Sequence, residues 1–271
     1  PFLRPVAEST SGAPAAGIGE IVRAAAEQEA RQVPGWEGTL HEYLELVDQR
    51  PALARNAWQR MADMIESHGV TRPELPGGVP RWQIFDDPFG AAAAGLGEGA
   101  AGPDAIFGLD QSLHDLVMTI RAGARGLGPE RRIVLLHGPV GSAKSTIARI
   151  LKRGLEHYTR TDEGAIYTFD WHVDGEVIPS PMNQDPLLLV PESARPRIQS
   201  RLREIAPRED EISIQGELDP VSRFWLSELM ARYEGSWERA VQHVRVRRFT
   251  FSESRRVGIG TFQPKDEKNQ D

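Results

Sequence analysis

There is no cysteine in this chain. That excludes disulfides, cysteine-ligated zinc and a thiol nucleophile, and it agrees with a reducing compartment. No apolar run approaches the ~20 residues that span a bilayer, so no membrane-spanning segment is expected. The first residues lack the charged-then-apolar pattern of a secretory leader, and a cytoplasmic protein is the expectation. An excess of positive charge is missing too: 32 Lys and Arg stand against 39 Asp and Glu, a net charge of -7. This acidic balance argues against nucleic acid as the main partner. What is present is an ordinary globular composition, 39% hydrophobic and 26% charged over 271 residues, enough for one or two domains with a sizeable core.

Composition and periodicity divide the chain. Residues 1–34 are rich in Ala, Gly, Ser and Pro and read as a flexible tail, with a short helix over Gly19–Ala30. Residues 35–70 read as a helical hairpin. Thr39 and Glu42 form a capping-box pattern ahead of Tyr43, Leu44, Leu46 and Val47. Pro51 suits the first turn of a second helix carrying Leu53, Ala57, Met61 and Ile65, with Gly69 as its stop. Residues 71–105 read as a linker or insertion, low in complexity from Gly90 to Gly102, with an anchor at Trp82, Ile84 and Phe85.

Residues 106–271 read as the main domain. Leu113, Leu116, Val117 and Ile120 mark a helix. Ile133–His137 is a short apolar run that reads as a buried strand, followed by a helix with Ile147, Ile150 and Leu151 on one face. Ile166–Val173 reads as another strand, and Asp174-Gly175 as a two-residue hairpin turn. Asp219-Pro220 opens a further helix, with Val221, Trp225, Leu226 and Leu229 on one side. Val244, Val246, Phe249 and Phe251 fit a late strand with one break in the alternation. Strands interleaved with helices imply an α/β fold, expected here as a P-loop NTPase with a parallel sheet and flanking helices, preceded by the small helical segment.

The most informative stretch is Gly138-Pro139-Val140-Gly141-Ser142-Ala143-Lys144-Ser145-Thr146. It follows an apolar strand and opens an amphipathic helix, the context that G-x-x-x-x-G-K-[ST] requires. Gly138 and Gly141 permit the backbone angles that turn successive N–H groups toward a phosphate. The helix N-terminus adds partial positive charge. Lys144 can reach the β- and γ-phosphates, and Ser145 can hold a bridging Mg²⁺. The expected cofactors are therefore ATP and Mg²⁺, bound by residues 138–146, with Ser145 as the metal ligand. Ala143 departs from the pattern, which has Gly before Lys, and tolerates fewer backbone angles.

A P-loop needs an acidic partner to place Mg²⁺ and the nucleophile. Two apolar runs end near an acid, Ile166–Asp170 and Leu187–Val190 with Glu192, and neither is compelling, so no catalytic residue is assigned. His137 beside the loop reads as a histidine at a strand end. Arg245, Arg247, Arg248, Arg255 and Arg256 read either as a solvated strand face or as a source of an arginine for a neighbouring subunit's nucleotide or an anionic partner. Ser252-Glu-Ser254 is a candidate phosphoacceptor.

Several blocks together resemble the PrkA-type bacterial serine protein kinases. They are Gly35-Trp-Glu-Gly-Thr39 through Leu46, Ala54-Arg-Asn-Ala57, Met64-Ile-Glu-Ser-His-Gly69, Phe107-Gly-Leu-Asp110, the P-loop, Asn183-Gln-Asp-Pro-Leu187, and Ser252 to Pro264 with Asp266 to Asp271 after it. The resemblance spans roughly residues 35–271 and is poorest over Gly90–Gly102. It implies a cytoplasmic AAA+ ATP-binding module of a serine protein kinase, acting on a protein substrate by phosphotransfer to serine or by ATP-driven remodelling. It also implies a homo-oligomeric ring for the full-length protein, and an N-terminal fragment here whose second acidic motif lies further on. No HRD or DFG pattern is present, so phosphotransfer by that constellation is excluded. The alternatives are a nucleotide-sensing interaction module without turnover and an AAA+ ATPase linked to proteolysis.

Overall fold

The computed structural model describes residues 17–20, 23, 35–73, 77–207 and 212–260. The chain divides into two units, Pro1–Pro34 and Gly35–Asp271. The helix expected over Gly19–Ala30 and the block at Asp266–Asp271 fall largely or wholly outside the described residues.

Strand β1, Glu37–Gly38, leads directly into helix α1, Leu40–Gln49. The capping box forms as the sequence suggests: the Thr39 hydroxyl accepts from the Glu42 amide at 3.2 Å, and the Glu42 carboxylate accepts from the Thr39 amide at 2.6 Å. Those bonds hold the Glu42 carboxyl below its ordinary range. Pro51 opens a single 3₁₀ turn, Pro51–Ala54, and helix α2 begins later, at Ala57–Ser67. Asn56 caps it through a reciprocal pair with Gln59, each bond 3.0 Å. This later start shifts the buried face. Ala57 is exposed, and Ala62, Met64 and Ile65 turn inward instead. Gly69, at φ +86°, ends the helix.

The stretch expected to be a linker carries structure in its described residues. Strands β2, Val70–Thr71, and β3, Arg81–Trp82, pair antiparallel. A 3₁₀ turn at Gln83–Asp86 and helix α3, Pro88–Ala93, follow. Trp82, Ile84 and Phe85 are buried, as an anchor should be. Helix α4, Asp110–Ala124, comes next, then helix α5, Lys144–Tyr158. Ala62, Met64 and Ile65 of α2, Leu113, Val117 and Ile120 of α4, and Ile147 and Ile150 of α5 form one core with that anchor. Gly154 permits close approach: a Cβ there would lie 2.5 Å from the Met64 sulfur.

A second core belongs to a sheet. Strand β4 runs Ile166–Val173, as the alternation predicted, and Asp174-Gly175, both at positive φ, turn it into β5, Glu176–Pro179. Helices α6, Arg195–Ile205, α7, Pro220–Arg232, and α8, Trp237–Ala240, precede strand β6, Val244–Phe249. Asp219 caps α7, accepting from the amides of Val221 at 2.9 Å and Ser222 at 3.0 Å. The sheet order is β1-β6-β4-β5, and every pairing is antiparallel. The parallel sheet expected from interleaved strands and helices is not what these residues form. A two-residue hairpin allows β4 and β5 only the antiparallel arrangement, and β6 returns against the other side of β4.

The other departure lies just before the P-loop. Ile133–His137 runs as irregular backbone and pairs with no strand among the described residues. Ile133, 94% exposed, and Leu135, 80% exposed, face solvent, while Leu136 packs partly buried against the α2–α4–α5 core.

The two helices of the N-terminal hairpin divide between the cores. Leu40, Tyr43 and Val47 of α1 pack with Phe169, Trp171, Val244 and Val246, whereas α2 packs with the P-loop helix. Arg60, buried on α2, joins the halves by donating to the carbonyls of Leu53 at 2.5 Å and Ala165 at 2.9 Å.

Candidate nucleotide site

The loop that the sequence singled out opens α5. Lys144 is the first residue of that helix, and Ala143 is its N-cap. Ile147 is the first amide with an intrahelical acceptor, the Ala143 carbonyl at 2.8 Å. The amides of Lys144, Ser145 and Thr146 therefore have no partner within the helix, as at any helix start, and a positive potential gathers there. Gly141 lies at φ +85°. The crest of the loop is open, with Val140 fully exposed, and Ser145 is exposed on the first turn.

Lys144 folds back over the loop. Its ammonium donates to the carbonyls of Gly138 at 2.8 Å and Pro139 at 2.6 Å and to the Ser142 hydroxyl at 2.9 Å. The Ser142 hydroxyl in turn donates to the Pro139 carbonyl at 2.8 Å. Ser142 points inward, so that a Cβ at position 138 would meet its hydroxyl oxygen at 2.8 Å and turn that side chain aside. These residues suit a polyphosphate on chemical grounds: free amides at a helix N-terminus, a lysine within the loop, and an exposed serine hydroxyl beside it for a divalent cation.

The helix that carries the loop is held along its length. Arg149 donates to both carboxylate oxygens of Asp104 at 2.9 Å, and Arg153 joins it at 3.1 Å. Asp104 itself is fixed by its amide on Asp87, 3.0 Å away. Asp87 is fully buried, sits at φ +55°, and also accepts from the Gly90 amide. At the far end, Arg248 of β6 reaches the turn that follows the helix. Its guanidinium donates to the carbonyls of Arg160 at 3.0 Å and Thr161 at 2.5 Å and to Asp162 at 3.0 Å. A cation at a helix C-terminus meets the negative end of the dipole. Lys152 pairs with Glu253 on the same side. His157, on the last turn, stacks on Phe89 at 4.8 Å, and burial pushes its pKa below the ordinary value.

The remaining candidates scatter. Asp170 is bound by Arg247 at 2.6 Å within the sheet. Glu192 is exposed beside a surface groove lined by Leu188, Leu226 and Trp237. His137 is exposed. The arginine run splits: Arg245 bonds backbone carbonyls of Gln242 and Val244, Arg247 pairs with Asp170, Arg248 is buried, and Arg255 and Arg256 face solvent. Arg248 accounts for the break in the apolar alternation of β6, since it occupies an inward position. Sequence reasoning missed its role, along with those of Asp104, Arg149 and Arg153. The i, i+4 spacing of Arg149 and Arg153 on an amphipathic helix was a usable signal. Ser252 and Ser254 have hydroxyls 3.1 Å apart in an exposed turn. In the Asn183–Leu187 block, Asp185 is a half-buried carboxylate. It accepts from the Leu187 amide at 2.8 Å and the Tyr43 hydroxyl at 3.1 Å, and burial raises the pKa of both side chains. Among the described residues, no group of three or more His, Asp or Glu is placed to hold a metal.

The PrkA AAA domain family matches residues 38–271, nearly all of the second unit. The chain belongs to that family. It is similar to a Bacillus subtilis protein named ATP-dependent protease PrkA, 35% identical over 245 residues, which are 90% of this chain and 32% of that protein. An uncharacterized protein from the gldA 5′ region of Geobacillus stearothermophilus is 33% identical over 82 residues, 30% of this chain and 64% of that one. The chain thus spans about a third of the length of the Bacillus relative. No solved structure matches.

Proposed function

We propose that the second unit binds MgATP through Gly138–Thr146 and couples that binding to work on a protein substrate. The observation that carries the reading is the loop itself, a Gly-rich turn with Lys144 inside it and bare amides behind it, in a chain of the PrkA AAA domain family. In this reading the amides of Lys144, Ser145 and Thr146 hold phosphate oxygens, Lys144 neutralises the β- and γ-phosphates, and Ser145 holds the cation. The bound Mg²⁺ would supply charge neutralisation between the two phosphates. Titration of MgATP into the protein by calorimetry, with Lys144→Ala alongside, tests this. Saturable binding that the variant loses is the expected result. A folded wild-type protein that takes up no MgATP would defeat the reading.

The kind of work is a narrower proposal. The name of the Bacillus relative, an ATP-dependent protease, favours ATP-driven remodelling of a protein as part of proteolysis. Phosphotransfer to protein serine is the competing reading drawn from the resemblance. Following the γ-phosphate and the integrity of a model protein substrate in one reaction separates the two. A cytoplasmic homo-oligomeric ring completes the proposal. Among the described residues no helix is long and apolar enough to cross a membrane.

A further inference from the structure

Two residues make this P-loop unusual, and both act on its resting conformation. Ala143 lies at φ +54°, ψ +12°, in the left-handed region where an L-residue with a Cβ is disfavoured. Asp87, Asp174, Asn183, Glu234 and Arg256 also adopt positive φ, and the short Asp and Asn side chains can bond the local backbone in compensation. Alanine has no such group, and its methyl is only partly buried against the α2–α4–α5 core. Beside it, Ser142 turns into the loop. Its hydroxyl accepts from Lys144 at 2.9 Å and donates to Pro139 at 2.8 Å. With the Gly138 and Pro139 carbonyls, it gives the ammonium three acceptors, all within the loop. The ammonium that would meet a phosphate is thus engaged internally.

We infer that Ser142 holds the loop in a self-closed resting state and sets its nucleotide affinity low, while Ala143 leaves that state strained. This rests on the proposal that the loop binds MgATP. Binding requires Lys144 to exchange its three loop acceptors for phosphate oxygens, and Ser142 is the acceptor that a side-chain change can remove. Ala143 keeps a strained angle that glycine would adopt freely.

The test uses the wild-type chain, Ser142→Gly, Ala143→Gly and Lys144→Ala, each read by its thermal midpoint without nucleotide and by calorimetric titration with MgATP. Ala143→Gly should melt a few degrees higher, because glycine relieves the left-handed strain. Ser142→Gly should bind MgATP more tightly, by up to about tenfold, while Lys144→Ala should not bind. An Ala143→Gly midpoint equal to or below wild type overturns the inference. So does a Ser142→Gly variant that binds no more tightly than wild type when Lys144→Ala has lost binding, and in that case MgATP binding itself stands. Absence of binding across the whole series overturns both. A silent wild type with binding restored in Ser142→Gly supports the closed resting state and defeats MgATP binding by the wild-type loop.

Discussion

Around Trp171 the chain closes its backbone. Strand β4 has β6 on one side and β5 on the other, and its residues are buried almost without exception. Around Ile133 the chain does the opposite: an apolar segment of the same character runs bare, with 94% of Ile133 open to solvent. Both segments are apolar and carry β-branched residues, so propensity does not separate them cleanly. What separates them is supply of partners. Asp174-Gly175 brings β5 back against β4 within two residues, and β6 arrives with complementary alternation. Nothing among the described residues does this for Ile133–His137. The P-loop stands between the two regimes, hung from an unpaired segment at its start and from a tightly anchored helix at its end.

That contrast can be broken most forcefully in the closed half. Trp171 is fully buried and meets Phe169 edge-on at 5.8 Å. Trp171→Ala should cost about 3–5 kcal/mol, the range for removing a large aromatic from a packed core. Denaturant melts followed by circular dichroism would measure it, and a loss under about 1 kcal/mol would mean that this core does not govern folding. Arg248, with Arg60, links the halves. Arg248→Met keeps the aliphatic stem and removes the guanidinium, leaving the carbonyls at the end of α5 without their donor. A loss of about 1–3 kcal/mol is expected. Amide exchange should quicken at the end of α5 while the sheet amides stay protected, and uniform acceleration would count against a local tie. The smallest effect is expected at the bare segment. The double change Ile133→Thr with Leu135→Thr should shift stability by less than about 0.5 kcal/mol, because both side chains already face water. A loss well beyond that would show that the segment is covered in solution, and the contrast between the two halves would fall.

Local features were legible in advance where a few neighbouring residues decide them. The Thr39 capping box, the Asp219 cap, the Asp174-Gly175 turn and the span Ile166–Val173 all formed as the sequence suggests. The start of α2 was misread by six residues, because Pro51 opens a 3₁₀ turn and Asn56 with Gln59 supplies the actual cap. At the candidate site, the loop and Lys144 could be named from spacing, and the departure at Ala143 could be seen. That Ala143 adopts positive φ, and that Ser142 fills the loop, could not.

What the sequence determined by itself is the set of caps, turns and the Gly-rich loop, since each depends on contacts between residues a few positions apart. The tertiary structure decided which strands pair and in which sense, which arginine is buried, and which helix joins which core. Glu37 lies opposite Arg247, and Arg60 reaches Ala165. Such pairings join distant stretches of chain. They are settled by which edges and cavities remain once the local elements have formed, and no short window of residues contains that information.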